Sequence, residues 1–347
     1  MSKPLCLVTG ACGFMGTHMV EVLHEAGYPI RATDLAVAYE KDDRKAGRFP
    51  SVLKRLGVEF VPSDLTDPSS LDPLVRDVKL CFHIAAVFSY SAPFSVLERV
   101  NHQGTRELVE RLLRQPSFGK LVYWGAGGVY DLEAPIPFKE DETRLAPAND
   151  YLKSKHMAEQ LVMQYGRDKG LRYAIMRPTT VYGPRGVYGS GQMLMAAASG
   201  PVGAIPRNWN ERIPFVHVRD VVKAALFLAE NPKTDGQVYN LNDSSQLTNV
   251  EFFKFVADIT GRPFLPLPPI PVKPLRSALI PLAKGIQWLH AKAGKPSPLE
   301  ADTVNYLGRD FTYSNQKLLD AGYKFTYPDA RHGIADTILW YQRNGWL

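Results

Sequence analysis

Several features of secreted, membrane-spanning and nucleic-acid-binding proteins are missing from this sequence. Only three cysteines occur in 347 residues, and their odd number and irregular spacing predict reduced thiols rather than disulfides or a metal site. No uninterrupted apolar run is long enough to cross a bilayer, and no secretory signal is recognisable at the amino terminus. Dense clusters of Lys and Arg with interleaved aromatic residues are also missing, so we expect no nucleic-acid partner. These absences predict a cytoplasmic protein.

The residues that are present suit one large α/β domain with a lobe, or two domains. Hydrophobic residues make up 45% of the chain and charged residues 22%, which is enough apolar surface for a sizeable core. The net charge of +6 is modest for this length. It suits an anionic ligand without requiring one.

The clearest local pattern lies at the start of the chain. The apolar run Leu5–Val8 predicts a strand, and Gly10, Gly13 and Gly16 follow it before apolar residues recur at helical spacing. A glycine turn that leads into a helix presents unpaired N–H groups, which suit the pyrophosphate of a dinucleotide. The spacing is G-x-x-G-x-x-G rather than the standard G-x-G-x-x-G, so a plain tight turn is the alternative. The position between a strand and a helix favours a dinucleotide site.

An acidic residue follows the second predicted strand. Asp34 falls roughly 20 residues after the glycine turn, where a carboxylate accepts hydrogen bonds from the adenosine ribose. Its charge would repel a 2′-phosphate, so NAD is favoured over NADP. The basic residues Lys41, Arg44 and Lys45 follow closely and weaken that preference, so NADP stays an alternative. A solvated Asp at a strand end is the structural alternative.

The third predicted strand, Val58–Val61, leads to Asp64 and Leu65. We expect Asp64 to accept from the adenine amino group and Leu65 to pack on the ring. The same pattern is common where a side chain caps a helix, so both interpretations stay open.

Two more predicted strands, Leu80–Ala86 and Leu121–Trp124, continue the alternation of strands and helices. The small residues Ala85 and Ala86 would let a cofactor lie flat across the strand end, whereas His83 fits a packed core position. Strands that alternate with helices predict a doubly wound parallel sheet of α/β class. Ligands of such sheets bind at the carboxyl ends of the strands.

A tyrosine and a lysine suited to proton transfer follow this half of the chain. Tyr151 and Lys155 are four residues apart on a predicted helix and therefore share one face. A phenol titrates near 10 in water, too high for a base at neutral pH. A nearby ammonium and a cationic nicotinamide would favour the phenolate and bring Tyr151 into working range. An exposed helical pair is the usual alternative for Y-x-x-x-K alone.

These motifs, in this order, resemble the extended short-chain dehydrogenases/reductases. The matching stretches are Thr9–Gly16, Asp34, Asp64-Leu65, His83–Ala86, Asn101, Tyr151-x-x-x-Lys155 and Arg177-Pro178-x-x-x-Tyr182-Gly-Pro184. The resemblance implies a Rossmann-type domain over residues 1–178, whose core extends into 214–242. Residues 179–213 and 243–347 would then form a smaller substrate-binding lobe.

The resemblance also implies roles for individual residues. Tyr151 would be the catalytic acid/base and Lys155 its partner, with no metal. The implied cofactor contacts are Gly10, Cys12, Gly13, Phe14, Met15, Gly16, Asp34, Asp64, Leu65, Ala85, Ala86, Asn101, Tyr151, Lys155, Pro178 and Thr180. The expected substrate contacts are Ser89, Tyr90, Ala126, Gly127 and Tyr182.

One position departs from the family pattern. The family usually has Ser or Thr after the fifth strand, hydrogen-bonded to the reacting oxygen, and here Ala126 takes that position, followed by Gly127 and Gly128. The loss of one positioned donor costs about two to three orders of magnitude in rate. Three explanations stay open: Thr180, Ser89 or a water replaces the serine, the glycines make room for an unusual substrate, or catalysis is slow or lost.

The segment 263–299 contains no Asp or Glu. Its first part, 264–272, is rich in proline and predicts a linker, and an amphipathic helix is predicted over 275–293. Basic amphipathic helices lie on anionic membrane surfaces or cover lipophilic pockets. We expect a membrane contact, if there is one, through residues 273–295. A helix docked on the lobe with solvated lysines is the alternative. This layout resembles the 3β-hydroxysteroid dehydrogenase branch, which includes sterol dehydrogenase/decarboxylases.

The sequence therefore predicts hydride transfer between NAD and a secondary alcohol or ketone of a bulky lipophilic molecule, with decarboxylation as an extension. One alternative is a nucleotide-sugar epimerase or dehydratase that keeps NAD bound and uses Arg185, Arg207 and Arg212 for a diphosphate. A cofactor-binding protein without turnover is the other. A homodimer is compatible with each of these three functions.

Overall fold

A computed structural model describes residues 3–292 and 301–347. Its centre is a seven-stranded sheet in which every neighbouring pair of strands is parallel. In chain order the strands of the described residues are β1 (Cys6–Thr9), β2 (Ile30–Thr33), β3 (Glu59–Phe60), β4 (Leu80–His83), β5 (Lys120–Trp124), β6 (Tyr173–Pro178), β7 (Thr180–Tyr182), β8 (Gly203–Pro206), β9 (Phe215–His217), β10 (Gln237–Leu241) and β11 (Phe264–Leu267).

The order of strands in the large sheet is β10-β6-β5-β4-β1-β2-β3. The chain therefore begins with a central strand of the sheet, β1, and adds β2 and β3 on one side. It then crosses to β4 and adds β5, β6 and β10 on the other side. Between β1 and β4 the connections reverse direction, which opens a crevice at their carboxyl ends. The predicted α/β class and doubly wound parallel sheet are confirmed.

Helices cover both faces of this sheet. The helices are α1 (Phe14–Glu25), α2 (Ala36–Glu40), α3 (Pro50–Leu56), α4 (Phe94–Leu97), α5 (Gly104–Leu113), α6 (Asp150–Lys169), α7 (Ser190–Ser199), α8 (Val218–Glu230), α9 (Asn249–Ile259), α10 (Val272–Lys292), α11 (Ala301–Asn305), α12 (Gln316–Asp320) and α13 (Ala330–Arg343). One buried cluster joins α1, α3 and α8 to one face of the strands. A second joins α5 and α6 to the other face. Alternate strand residues thus enter opposite cores.

The chain from the start of α4 to the end of α5 is helical throughout but irregular. Helices α4 and α5 are joined by a π-helical segment, Glu98–Gln103, which contains the buried Asn101. Such wide turns occur often at functional sites.

A further core lies outside the large sheet. The small pair β7–β9 and helices α7, α9 and α13 share buried apolar residues that include Leu194, Phe252 and Ile338. Helix α9 begins with a capping box, in which Thr248 and Glu251 bond each other's backbone. The predicted linker at 264–272 is wrong in part, because β11 pairs with β8 and α10 begins at Val272.

No helix among the described residues is long and apolar enough to span a membrane. Within the same residues Cys6, Cys12 and Cys81 are buried free thiols, and no cluster of His, Cys, Asp or Glu could hold a metal ion. Helix α10 carries most of the predicted amphipathic segment. Residues 293–299 of that segment, and so the end of the predicted membrane contact at 295, lie outside the described residues.

Candidate active site

A cleft of about 1170 Å³ runs along the carboxyl ends of the central strands. It extends from the glycine turn to residues of the carboxyl-terminal part of the chain. The sequence-predicted residues that line it are Gly10, Gly13, Phe14, Met15, Gly16, Asp34, Asp64, Leu65, Ala85, Ala86, Tyr90, Ala126, Gly127, Tyr151, Lys155, Pro178 and Thr180. The topology thus brings residues that are far apart in sequence into one crevice.

The glycine turn is shaped so that only glycines fit. Gly10 has a φ of +66°, and a Cβ there would lie 2.9 Å from Ala85 Cα. A Cβ on Gly16 would lie only 2.0 Å from the Gly10 carbonyl oxygen. Gly13 caps helix α1 without a side-chain hydrogen bond, and the first turn contains no acidic residue. The first N–H groups of α1 are therefore available to an anion, which fits a dinucleotide pyrophosphate.

Asp34 is fixed at the end of β2 by two backbone groups. Its Oδ2 accepts from the Cys12 N–H at 3.0 Å and its Oδ1 from the Leu35 N–H at 2.9 Å. Burial raises the pKa of the Asp34 carboxyl, and these two hydrogen bonds act in the opposite direction. Cys12 itself contacts Asp34 through its backbone and is fully buried. Its thiol does not line the cleft, and the predicted cofactor contact of Cys12 stays a prediction.

The basic residue that reaches the adenosine end differs from those expected. Lys41, Arg44 and Lys45 are exposed and do not line the cleft. The Arg44 guanidinium lies 3.9 Å from the centre of the Trp346 ring instead. Arg48 does line the cleft, a placement that its sequence neighbourhood did not indicate.

Asp64 makes local hydrogen bonds of the capping kind that the sequence left open as one of two interpretations. Its Oδ1 accepts from the Thr66 N–H and hydroxyl, both at 2.8 Å, and so closes a turn. Leu65 beside it is buried and lines the cleft. The expected adenine contacts remain a proposal.

The loop after β4 is pinned by buried polar groups. Thr9 Oγ1 accepts from the N–H groups of Ile84 and Ala85 at 3.1 and 3.0 Å. The His83 ring lies between the hydroxyls of Thr9 and Thr105, and burial lowers its pKa to about 3. His83 is thus a neutral core residue that holds Ala85 under the cleft.

Asn101 does not reach the cleft. Its side chain is buried, with Oδ1 accepting from the Val87 N–H at 2.8 Å and Nδ2 donating to Ser154 Oγ at 3.0 Å. Ser154 Oγ in turn donates to the Tyr151 carbonyl at 2.7 Å. This side chain links the loop after β4 to the helix turn that carries Tyr151, and its predicted cofactor contact stays a prediction.

Tyr151 and Lys155 share the cleft-facing side of α6. Burial raises the pKa of the Tyr151 hydroxyl and lowers the pKa of the Lys155 ammonium to about 7, with the Glu159 carboxylate acting in the opposite direction. Lys155 Nζ lies 4.6 Å from the centre of the Tyr123 ring, and it has no hydrogen-bond acceptor within the part of the chain that the structure describes. A buried ammonium without an acceptor fits a site for the hydroxyls of a cofactor ribose.

The glycine run after β5 rests on a buried ion pair. Arg177 Nε donates to Glu159 Oε2 at 3.2 Å, and Arg177 Nη1 donates to the Tyr130 hydroxyl at 2.7 Å. A Cβ on Gly125 would lie 3.1 Å from Glu159 Oε2. Ala126 is buried and lines the cleft at the position where the resemblance expects a hydroxyl. The indole N–H of Trp124, also at the cleft, is buried without a partner in the described residues.

Aromatic side chains from three regions form the wall opposite the strand ends. The Phe88 ring packs edge-on against Tyr151 at 5.0 Å, and Tyr90 lies 5.9 Å from Tyr151. The others that line the cleft are Tyr188, Tyr306, Phe311 and Tyr313. Sequence reasoning missed all of these except Tyr90, because no local pattern indicates which residues of the carboxyl-terminal part return to the cleft.

Two predicted substrate residues lie elsewhere. Tyr182 is buried in the further core, where its hydroxyl donates to the Ala330 carbonyl at 3.1 Å. Ser89 does not line the cleft, and its Oγ accepts from the N–H groups of Ser91 and Ala92 in a local turn. Each side chain makes hydrogen bonds within the fold, away from the lining of the cleft.

The three arginines expected to hold a diphosphate are either paired with a carboxylate or absent from the lining of the cleft. Arg212 lines the cleft, but its Nε donates to both carboxylate oxygens of Asp310 at 3.0 Å. Arg185 is paired with Glu21 and Arg207 is exposed, and neither lines the cleft. Arg309 lines the cleft and pairs with Glu133.

Comparisons with known proteins agree with this geometry. The family model "NAD dependent epimerase/dehydratase family" matches residues 6–241. A 3-beta-hydroxysteroid dehydrogenase of Mycolicibacterium neoaurum is 26% identical over 96% of this chain and 90% of its own. A UDP-N-acetyl-alpha-D-glucosaminuronate decarboxylase of Bacillus cytotoxicus is 26% identical over 74% and 81%. A UDP-glucose 4-epimerase structure from Thermotoga maritima has a TM-score of 0.74 at 21% identity, over 98% of this chain and 99% of that one.

Proposed function

The chain belongs to the NAD-dependent epimerase/dehydratase family, and on that premise we propose that it is an oxidoreductase for a secondary alcohol or ketone on a bulky lipophilic molecule. NAD is the cofactor, as the family's description implies, and the glycine turn, Asp34 and Lys155 fit it. The observation that carries the substrate class is the cleft wall. Its lining is rich in aromatic rings, and two arginines in this part of the cleft, Arg212 and Arg309, are paired with carboxylates.

The proposed roles follow from the placement of Tyr151 and Lys155. When bound, NAD supplies the acceptor or donor of the hydride. Tyr151 Oη takes the proton of the substrate hydroxyl during oxidation and returns it during reduction. Lys155 stabilises the phenolate by its charge and holds the ribose hydroxyls. Because burial disfavours both charged forms, the phenolate and the ammonium stabilise each other most where water is excluded.

The relative from M. neoaurum supports the steroid-like class, since its match covers 96% of the chain, including most of the carboxyl-terminal part. If the substrate carries a carboxylate β to the ketone that forms, the C–C bond to the carboxylate breaks and carbon dioxide leaves. The remaining electron pair becomes an enolate that is then protonated. Decarboxylation is the extension of the proposed reaction.

The exposed face of α10 suits contact with an anionic membrane surface. Leu282, Trp288 and Leu289 are 55%, 57% and 60% exposed, and the helix contains basic but no acidic residues. Arg276 Nη1 donates to the Leu307 carbonyl at 3.1 Å, beside the cleft residue Tyr306. A lipid substrate would thus meet the cleft next to the membrane-facing helix.

A nucleotide-sugar enzyme is the second candidate, and the relative from B. cytotoxicus favours it. It requires Arg212 or Arg309 to leave its carboxylate partner and bind a diphosphate. It also predicts purified protein that already contains NAD, since such enzymes return the hydride to the same molecule.

The experiment that tests the function compares two substrate classes. NAD and NADP are each offered with 3β-hydroxysteroids, other lipophilic alcohols and UDP-glucose, while nicotinamide absorbance and products are followed. We expect net NAD reduction with a lipophilic alcohol, and turnover of UDP-glucose without net cofactor change would overturn the proposal. Tyr151→Phe should lower kcat by about two to four orders of magnitude with the Kd of NAD retained. Tyr165→Phe, which removes a hydroxyl from the far end of the same helix, is the matched control.

A further inference from the structure

A tyrosine from the carboxyl-terminal part of the chain reaches the glycine run. A Cβ placed on Gly128 would lie 3.4 Å from Tyr306 Oη and 3.0 Å from both terminal methyl carbons of Leu152. Leu152 directly follows Tyr151, and Gly128, Tyr151 and Tyr306 all line the cleft. The Tyr306 hydroxyl therefore lies beside the segment in which Ala126 replaces the serine of the family.

The ring of Tyr306 is held in place by its neighbours. It packs edge-on against Phe311 with ring centres 5.4 Å apart. It also belongs to the apolar cluster that contains Ala126, Leu152 and the buried ring of Tyr313. Because the ring is packed against Phe311 and this cluster, its hydroxyl has a restricted set of positions.

No residue of the glycine run can supply a hydroxyl of its own. A Cβ on Gly125 would lie 2.8 Å from the Met176 carbonyl oxygen, and one on Gly127 would lie 3.0 Å from the Pro178 carbonyl oxygen. Ala126 is thus the position in the run where a side chain fits, and its methyl group cannot donate a hydrogen bond.

Other hydroxyls near this point are less suited. Ser89 lies outside the cleft, and Thr179 Oγ1 donates to the Leu241 carbonyl at 2.9 Å. Thr180 lines the cleft, and it is the competitor that an experiment must separate from Tyr306.

We propose that the Tyr306 hydroxyl donates a hydrogen bond to the reacting oxygen of the substrate, in the role that the family gives to a serine. This rests on the proposed oxidoreductase function. The substrate proton goes to Tyr151, and Tyr306 neither gains nor loses a proton. No bond to Tyr306 forms or breaks. Its contribution is the stabilisation of the partial negative charge on the oxygen as the C–H or O–H bond changes.

The first test removes this hydroxyl and keeps the ring. Tyr306→Phe in the full-length protein, with NAD and the 3β-hydroxysteroid dehydroepiandrosterone, should lower kcat by about 100-fold while KM changes little. Thr180→Val should cost much less. A kcat of Tyr306→Phe within about threefold of the wild-type value, or a loss confined to Thr180→Val, would overturn the assignment.

The second test introduces a hydroxyl donor at position 126. Ala126→Ser in the Tyr306→Phe background should recover at least about tenfold in kcat, whereas Ala126→Ser alone should add little to the wild-type rate, because one donor already occupies the position. Equal gains in both backgrounds would show that the two hydroxyls act independently, against the proposal.

A third readout needs no turnover. The complex with NAD⁺ is titrated calorimetrically with the ketone androstenedione, which cannot react with the oxidised cofactor. Loss of one hydrogen bond should raise the Kd of the ketone about 2- to 10-fold in Tyr306→Phe, with the Kd of NAD⁺ unchanged, and an unchanged ketone Kd would contradict the proposal. Absence of ketone binding to the wild-type protein would count against the lipophilic substrate instead, and the same variants are then compared on UDP-glucose.

Discussion

The Lys155 ammonium is buried, and no residue that the structure describes accepts a hydrogen bond from it. Its pKa is lowered to about 7 because burial disfavours the charged form. In the unfolded chain the same group titrates near 10.4. Between these two values the unfolded chain binds the extra proton, so the free energy of unfolding rises with pH in that window.

The consequence is measurable by comparing the wild-type protein with Lys155→Met. The unfolding free energy of the wild-type protein relative to the variant should rise between pH 7 and about pH 9, by up to about 1.4 kcal/mol per pH unit. Urea unfolding at a series of pH values, without cofactor, measures this difference. Lys153→Met, which changes an exposed lysine of the same helix, should give no such slope. A flat difference for Lys155→Met would mean that the ammonium stays charged in the folded protein.

At the scale of elements, helix α6 and strand β6 are joined by the buried pair of Glu159 and Arg177. Both side chains are almost completely buried, and the Tyr130 hydroxyl extends the network to Asn240 Oδ1 at 2.6 Å. The pair lies directly under Gly125, where a Cβ would lie 3.1 Å from Glu159 Oε2. The ion pair therefore fixes the position of the glycine run relative to the helix that carries Tyr151.

Breaking this pair on one side should destabilise the protein strongly. Glu159→Met leaves the Arg177 guanidinium buried without its carboxylate and should lower the unfolding free energy by about 3–5 kcal/mol. The double variant Glu159→Met/Arg177→Met removes both charges and should be more stable than Glu159→Met alone. Denaturant unfolding of the three proteins tests this order. A double variant no more stable than the single one would show that the charge pair is not the cause.

At the scale of the whole molecule, α10 sets how the protein would meet a membrane. Its inner residues Leu279, Ile280 and Ala283 pack on the segment that begins at Ala301, so the exposed Leu282, Trp288 and Leu289 form a separate outer face. The proposed membrane contact would place this outer face against the bilayer.

Binding to vesicles tests this orientation. Substitution of Leu282, Trp288 and Leu289 by Asn should weaken binding to phosphatidylcholine/phosphatidylglycerol vesicles by more than about tenfold, because each apolar side chain loses about 1.5–3 kcal/mol of burial. Added salt should weaken wild-type binding through the basic residues. Leu339→Asn, at an exposed position on α13, is the matched control and should bind like the wild-type protein. Equal binding of all three proteins would contradict the membrane contact.

The same scale explains what the sequence could and could not predict. The amino-terminal half was predictable because each motif is local. Gly10, Asp34 and Ala85 each follow a predicted strand, and the parallel sheet brings the carboxyl ends of these strands together. The sequence did not show that the side chains of Asn101 and Cys12 turn away from the cleft, because sequence position does not give the direction of a side chain.

The other wall of the cleft depends on contacts between distant segments. Asp310 pairs with Arg212 about 100 residues earlier, and Tyr306 lines the same cleft as Tyr151 about 150 residues earlier. No periodicity links such residues. Tyr182 follows the predicted motif yet turns into the further core. The sequence offered three arginines for a diphosphate as part of an alternative function. Arg185 and Arg212 are paired with carboxylates, and Arg185 and Arg207 do not line the cleft.

The unpaired indole of Trp124 also has an optical consequence. Its ring lies at the cleft, between the β5 end and the glycine run, and its N–H has no partner among the described residues. Indole emission responds to the polarity around the ring and overlaps the absorbance of reduced nicotinamide. Trp124 thus gives the protein a built-in fluorophore, whose quenching would report occupancy of the cleft in real time without any added label.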